Sequence, residues 1–236
     1  MYSTIKQIMV AILLCSTIAI SFAETTISAD VVSRYVWRGT DFGNAAAVQP
    51  GIETAVGPVT VGAWGSWALN GADGGNECDL YASFTAGPVG ITVTDYFFPA
   101  YEGDGLLDLD NHVIEFSAGL DIGPVSVLAA ANVSGDSFVS ASDTTYSTGV
   151  DDWNQPSYDM EVIETDTDRN SLYLELGYGA FSVGLGNGVY TADEDESKDS
   201  FGVVSIGVSA SRDNFSASYI INPDQETSFL VFGVSF

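Results

Sequence analysis

Arg34 and Arg38 stand four positions apart in "DVVSRYVWRGTDFGN", and they are two of only six lysines and arginines in a chain with 32 acidic residues and a formal net charge of −26. On one extended strand that spacing puts both side chains on the same face, about 13 Å apart. A basic spot in so acidic a chain would shape selectivity among charged solutes, or it would latch a polar interior by pairing with acids such as Glu53. The same parity, followed from strand to strand, adds Asp30, Asp79, Tyr81, Thr92, Thr94, Glu115, Asp121, Tyr173 and Glu175 to this candidate polar surface. Catalysis has one starting point, His112, the single histidine. A serine hydrolase needs a nucleophile touching that base and a third group orienting it. Ile114 occupies the place two positions on, the nucleophile-elbow motif GxSxG does not occur, and Asp108 and Asp110 belong to a generally acidic stretch. No enzyme is expected. Nor is a metal or other cofactor: "DEDE" (193–196) and "DLDN" (108–111) lack the glycine and terminal glutamate of an EF-hand loop.

The elements that must position these residues are strands. In "SLYLELGY" (171–178), Leu172, Leu174, Leu176 and Tyr178 oppose Tyr173, Glu175 and Gly177, and in "HVIEFSAGLDI" (112–122) Ile114, Phe116, Ala118, Leu120 and Ile122 oppose Glu115, Ser117, Gly119 and Asp121. That is period two, the pattern of a strand with two different faces. The connections alternate as well. Tight turns such as "VGPVTV" (56–61), "AGPVGI" (86–91) and "IGPVSV" (122–127) are followed by long acidic ones such as 70–77, 100–111, 134–169 and 192–199. Runs near 27–38, 46–56, 59–69, 78–86, 89–98, 112–122, 125–133, 170–178, 181–191, 200–211, 214–222 and 227–236 give an even number of strands. The expected fold is all-β: a single transmembrane antiparallel up-and-down barrel of about 12 strands, with short periplasmic turns and long acidic external loops. A β-sandwich also alternates, but does not require short and long connections to alternate. In a barrel the apolar faces meet lipid, the polar faces line a lumen, and closing the sheet removes its edges. Aromatics near strand ends, among them Tyr35, Trp37, Trp64, Trp67 and "YFF" (96–98), suit interfacial girdles.

The first residues carry the address. Lys6, the apolar run 8–20 and Ser21-Phe22-Ala23 read as a secretory signal cleaved after residue 23, too short to span a bilayer as a helix. Residues 24–236 then form the barrel and keep one cysteine, Cys78, which excludes an internal disulfide and a cysteine zinc cluster. Scarcity of basic residues excludes a nucleic-acid surface. The acidic loops read as solvated faces, or as a funnel that concentrates cations at a pore mouth. The segment 134–169, with Tyr146, Trp153 and Tyr158 among its acids, reads as an external lid or contact surface.

The segments "DVVSRYVWRGTDFGNAAAVQPGIE" (30–53), "GAWGSWAL" (62–69), "DLYASF" (79–84), "TDYFFP" (94–99), "LYLELGYG" (172–179) and "INPDQETSFLVFGVSF" (221–236) resemble the TorF-family porins, also catalogued as the Gcw conserved hypothetical proteins. The resemblance covers nearly the whole chain beyond the leader. It implies an outer-membrane barrel that forms a pore, and brings with it no substrate or catalytic residue. The expected function is passive diffusion of small solutes, cations or neutral ones in preference, with a non-conducting structural or binding barrel with a loop lid as the alternative and an outer-membrane hydrolase behind it. The end "FLVFGVSF" places Leu230, Phe232, Val234 and Phe236 toward lipid, and the terminal Phe236 resembles the signal by which such barrels are recognised for assembly. Expected partners are outer-membrane lipid and lipopolysaccharide, the barrel-assembly machinery, small solutes or cations, and a second copy in a homo-oligomer.

Overall fold

The structure is a computed structural model that describes residues 24–71, 76–99, 112–134, 171–192 and 201–236, together with the backbone of 140–150 and 156–166. Its strands are β1 (Glu24–Val32), β2 (Tyr35–Trp37), β3 (Thr40–Phe42), β4 (Ala47–Val56), β5 (Val59–Ala68), β6 (Glu77–Ala86), β7 (Val89–Phe97) and β8 (His112–Ile122). They continue as β9 (Val125–Ser134), β10 (Ser140–Val150), β11 (Pro156–Asp166), β12 (Leu172–Tyr178), β13 (Phe181–Gly186), β14 (Gly202–Arg212), β15 (Phe215–Asn222) and β16 (Thr227–Ser235). Twelve of them close into one antiparallel barrel in the order β1, β16, β15, β14, β13, β12, β9, β8, β7, β6, β5, β4. The remaining four form two separate hairpins, β2–β3 and β10–β11. The segment read as a lid thus contains a two-stranded sheet between residues 140 and 166. The leader and the "DEDE" and "DLDN" stretches lie outside the described residues.

The short turns follow from their sequence. In Gly57-Pro58, Gly87-Pro88 and Gly123-Pro124, glycine comes first with φ of 60°, 61° and 59°. Proline then fixes the second φ near −65°, which together give the II′ geometry that matches strand twist. Register leaves two residues between Val56 and Val59 and between Ala86 and Val89, so each turn pins its hairpin. All these turns lie at one end of the barrel, and the long connections at the other. The seam closes where β1 meets β16 at Asp30↔Ser235, Val31↔Val234 and Val32↔Gly233. Phe236 adds a hydrogen bond from its N–H to the Ala29 carbonyl at 2.9 Å. The terminal phenylalanine is therefore part of the closure.

Burial is inverted relative to a water-soluble domain. Ile27 is 76% exposed, Phe181 66%, Leu230 58% and Leu176 51%, whereas Glu115, Asp79, Glu77, Ser66, Asn132 and Asn222 are buried. The two sets alternate along each strand as the pleat requires. Leu230, Phe232 and Phe236 are exposed on the outer face of β16, while Gly233 is buried on the inner one.

One element departs from the expected layout. The alternation from residue 27 predicts a single strand to residue 38, but the wall strand stops at Val32 and the chain bends at Ser33 and Arg34. Residues 35–42 then form the tight β2–β3 hairpin, with Tyr35↔Phe42, Val36↔Asp41 and Trp37↔Thr40 in register. Its turn is Arg38-Gly39, with φ of 50° and 88°. Two successive positive φ values are the mark of an I′ hairpin turn, where asparagine–glycine is the usual pair and arginine is not. Arg34 and Arg38 are thus not neighbours on a wall strand.

Candidate functional site

The β2–β3 hairpin lies inside the barrel, at its long-connection end, and its side chains reach the wall on many sides. Tyr35 packs on Trp64 of β5 with ring centroids 5.6 Å apart, and its hydroxyl donates to Glu77 Oε2 of β6 at 2.8 Å. Trp37 meets Tyr96 of β7 edge-on at 5.6 Å and Tyr190, which follows β13, at 5.7 Å. On the opposite side the Asn222 side-chain amide of β15 donates to the Gly39 carbonyl at 3.2 Å, and the Gln225 amide to Thr40 Oγ1 at 3.2 Å. Tyr35, Trp37, Trp64 and Tyr96 were expected in girdles at the membrane interfaces. They face inward instead, because the hairpin gives them an aromatic partner within the lumen.

At the centre lies Arg38. Its guanidinium forks onto Glu115 of β8, with Nη1 to Oε2 at 2.5 Å and Nη2 to Oε1 at 2.9 Å. Its Cζ lies 4.2 Å from the ring centroid of Trp37, 4.5 Å from that of Tyr173 and 5.3 Å from that of Tyr190. Nη1 also reaches the Tyr190 hydroxyl at 2.5 Å, and the Tyr96 hydroxyl donates to Glu115 Oε1 at 3.3 Å. Only 8% of the arginine side chain and 2% of the glutamate remain exposed. A planar cation with a carboxylate fork at its edge and ring faces against it satisfies both forms of arginine recognition at once.

The wall is shaped to accept this group. The β8–β9 register shifts between Ile114 and Glu115, and the β13–β14 register between Gly184 and Leu185. Extra residues of that kind bend a strand and re-aim its side chains, and they gather beside functional sites. The second irregularity leaves Val204 without a ladder partner, fully buried, with its carbonyl against Gly39. A Cβ on Gly39 would sit 2.0 Å from that oxygen. Gly184 likewise gives room to Tyr173, whose hydroxyl would lie 2.3 Å from an added Cβ.

The other residues of the expected polar surface are dispersed. Tyr173 donates to Glu175 Oε2 at 2.8 Å, and Tyr81 to Glu53 Oε2 at 2.9 Å. Asp79 is buried beside Glu77, and Asp30 lies at the seam opposite Ser235, with Gln49 of β4 on its other side. Asp121 shares the inward register but sits exposed at the short-turn end, away from the cluster. Arg34 pairs with Asp41 of its own hairpin, donates to Asn44 Oδ1 at 2.7 Å, and lies over the ring of Phe229. The expected latch between an arginine and Glu53 is therefore replaced by Arg38 with Glu115 and Arg34 with Asp41. The bend at Ser33 carries both arginines away from β4.

His112 belongs to a different surface. Its Nδ1 lies 2.7 Å from Asp95 Oδ1, and its ring stacks on Phe97 at 4.8 Å. Both Asp95 and His112 fall on the outward register, Asp95 opposite Leu80 and His112 opposite Phe97. Asp108 and Asp110, considered above as partners for His112, lie outside the described residues. The sequence assigned no site role to Tyr190, Glu77 or Asn222, and placed Trp37 and Tyr96 in the interfacial girdles. The signal that could have found the hairpin is "YVWRGTDF": two short alternating runs around a two-residue turn containing glycine.

A closed twelve-stranded barrel with polar groups inside, large apolar groups outside and an inserted hairpin defines the class of protein. The chain belongs to Gcw_chp, a bacterial protein family of unknown function, whose model matches residues 18–227. Neither a curated protein nor a solved structure matches it.

Proposed function

We propose that this is an outer-membrane barrel of porin type whose lumen is narrowed by the β2–β3 hairpin, so that passage of small cations or neutral solutes depends on that hairpin moving. The inverted burial carries the reading: an outer wall bearing Ile27, Phe181, Leu176 and Leu230 is stable only where hydrocarbon solvates it, and closure leaves few unpaired backbone groups to the lipid. Its partners would be outer-membrane lipid and lipopolysaccharide, with the leader at residues 1–23 for export and Phe236, Val234 and Phe232 offered to the assembly machinery. Glu53 and Glu175 on inward registers favour cations over anions, since Arg38 is neutralised by Glu115.

Conductance of the purified protein in planar bilayers is the test. Cation-selective steps that grow when residues 35–42 are replaced by a short glycine–serine linker would support the reading, and anion selectivity would sink it. The hairpin itself favours one alternative, a non-conducting binding or structural barrel. Absence of conductance even without the hairpin would decide for that alternative.

Two substitutions bear on the same reading. Leu176→Arg puts a charge on the outer face and should cost about 2–4 kcal/mol if that position lies near the bilayer midplane, falling toward zero at an interface. Urea titration of the protein refolded in lipid vesicles would measure it, and no loss there would speak against a lipid-facing wall. His112→Ala should leave ester or phospholipid hydrolysis by the purified protein at background, since position 114 holds isoleucine rather than serine. A hydrolytic activity abolished by that change would replace the channel reading with an enzyme.

A further inference from the structure

Among the described residues, every recognition group around the Arg38 guanidinium except Trp37 belongs to the barrel and not to the hairpin. Glu115 comes from β8, Tyr173 from β12, Tyr96 from β7 and Tyr190 from the segment after β13. If the hairpin withdraws, the wall keeps a buried carboxylate fork and tyrosine faces without the cation that completes them. We propose that this wall cage is a binding site for small guanidinium-bearing solutes, and that Arg38 is a tethered stand-in which occupies it when the hairpin is seated. The proposal rests on the reading of the hairpin as a movable element in a solute-conducting barrel.

The chemistry selects guanidinium over other cations. Glu115 accepts two hydrogen bonds from two different nitrogens of one planar group, which an ammonium cannot supply in that geometry. A quaternary amine could use the ring faces but has no N–H for the carboxylate. The backbone points the same way. Arg38 holds φ of 50° at a turn position where asparagine or glycine is usual, so arginine is there for what its side chain reaches. Approach is favoured as well, because Glu53 and Glu175 lie on inward registers while Arg38 is the cation already in place.

The experiment uses the full-length protein refolded in lipid vesicles, with binding read directly by isothermal titration calorimetry so that the readout does not depend on where the hairpin stands. Arg38→Ala empties the cage, and Arg38→Asn does so while keeping a residue suited to the turn. Guanidinium chloride is titrated through the millimolar range at constant ionic strength, far below denaturing concentrations, with tetramethylammonium chloride as the comparison. A saturable heat of binding is expected in both variants, absent from the protein that retains Arg38, and at least about tenfold weaker when Glu115→Gln is added. A response equal in the Glu115→Gln background, equal for tetramethylammonium, or missing from both Arg38 variants would overturn the site. Conductance of the same Arg38→Asn protein separates the two ideas. Saturable guanidinium binding without conductance would uphold the site and remove the conduit. Conductance without that binding would do the reverse.

Discussion

Glu115→Ala should release the lumenal hairpin and leave the barrel closed. The change strands the Arg38 guanidinium in a space where only 8% of its surface is exposed, and breaking a buried pair from one side costs about 3–5 kcal/mol. The hairpin can avoid that cost by carrying arginine back to water, since its own ladder is the short β2–β3 pairing and it shares no sheet with a wall strand. The docking equilibrium should therefore shift by roughly a hundredfold to a few thousandfold, toward the undocked form. Two measurements check it. Protease cleavage within residues 33–46 should become fast in vesicle-embedded protein, and bilayer conductance should rise. A hairpin that stayed protected would mean that Tyr35, Trp37 and Asn222 hold it without the ion pair.

Gly39→Val attacks the opposite end of the same element and should have a similar readout by a different route. The new Cβ would fall 2.0 Å from the Val204 carbonyl oxygen, a backbone atom on a bulged strand that cannot rotate aside as a side chain can. The position also has φ of 88°, which a β-branched residue rarely adopts. Seating is therefore blocked by sterics while Arg38 and Glu115 remain intact. Proteolysis should again open at 33–46, and the heat-dependent shift in gel mobility that marks a folded barrel should persist. Loss of that shift in Gly39→Val would show that the hairpin is required for closure, contrary to the separation of β2–β3 from the barrel sheet. If Gly39→Val and Glu115→Ala both free the hairpin but only one raises conductance, the hairpin is not the constriction.

Much of the wall was legible in the chain. Leu172, Leu174, Leu176 and Tyr178 against Tyr173, Glu175 and Gly177 state which side of β12 is apolar, and the Gly-Pro pairs at 57, 87 and 123 state where hairpins turn. Period two survives in a sequence because each strand has its own two faces, and a two-residue turn holds its register locally. The site was less legible. Glu115 and Tyr173 could be assigned to the inner face, yet nothing in their spacing says that they meet, since they stand on β8 and β12 and come together because β9 pairs with both. Arg38 was misplaced because "SRYVW" continues the alternation of β1 without a break. Whether such a run stays in the wall or folds inward depends on what waits in the lumen.

By itself, then, the sequence determined an all-β chain with an apolar face and a polar face on each strand, short turns at one end, and a last strand ending in Phe236. Those properties are local, written in alternation and turn chemistry within a few residues. Only the tertiary structure decided that β1 ends at Val32, that residues 35–42 enter the barrel, and that Glu115, Tyr173, Tyr190 and Tyr96 surround one guanidinium. The reason is physical: a buried carboxylate needs a cation, and which of the few cations reaches it depends on the curvature of a closed sheet and on two irregularities in its register.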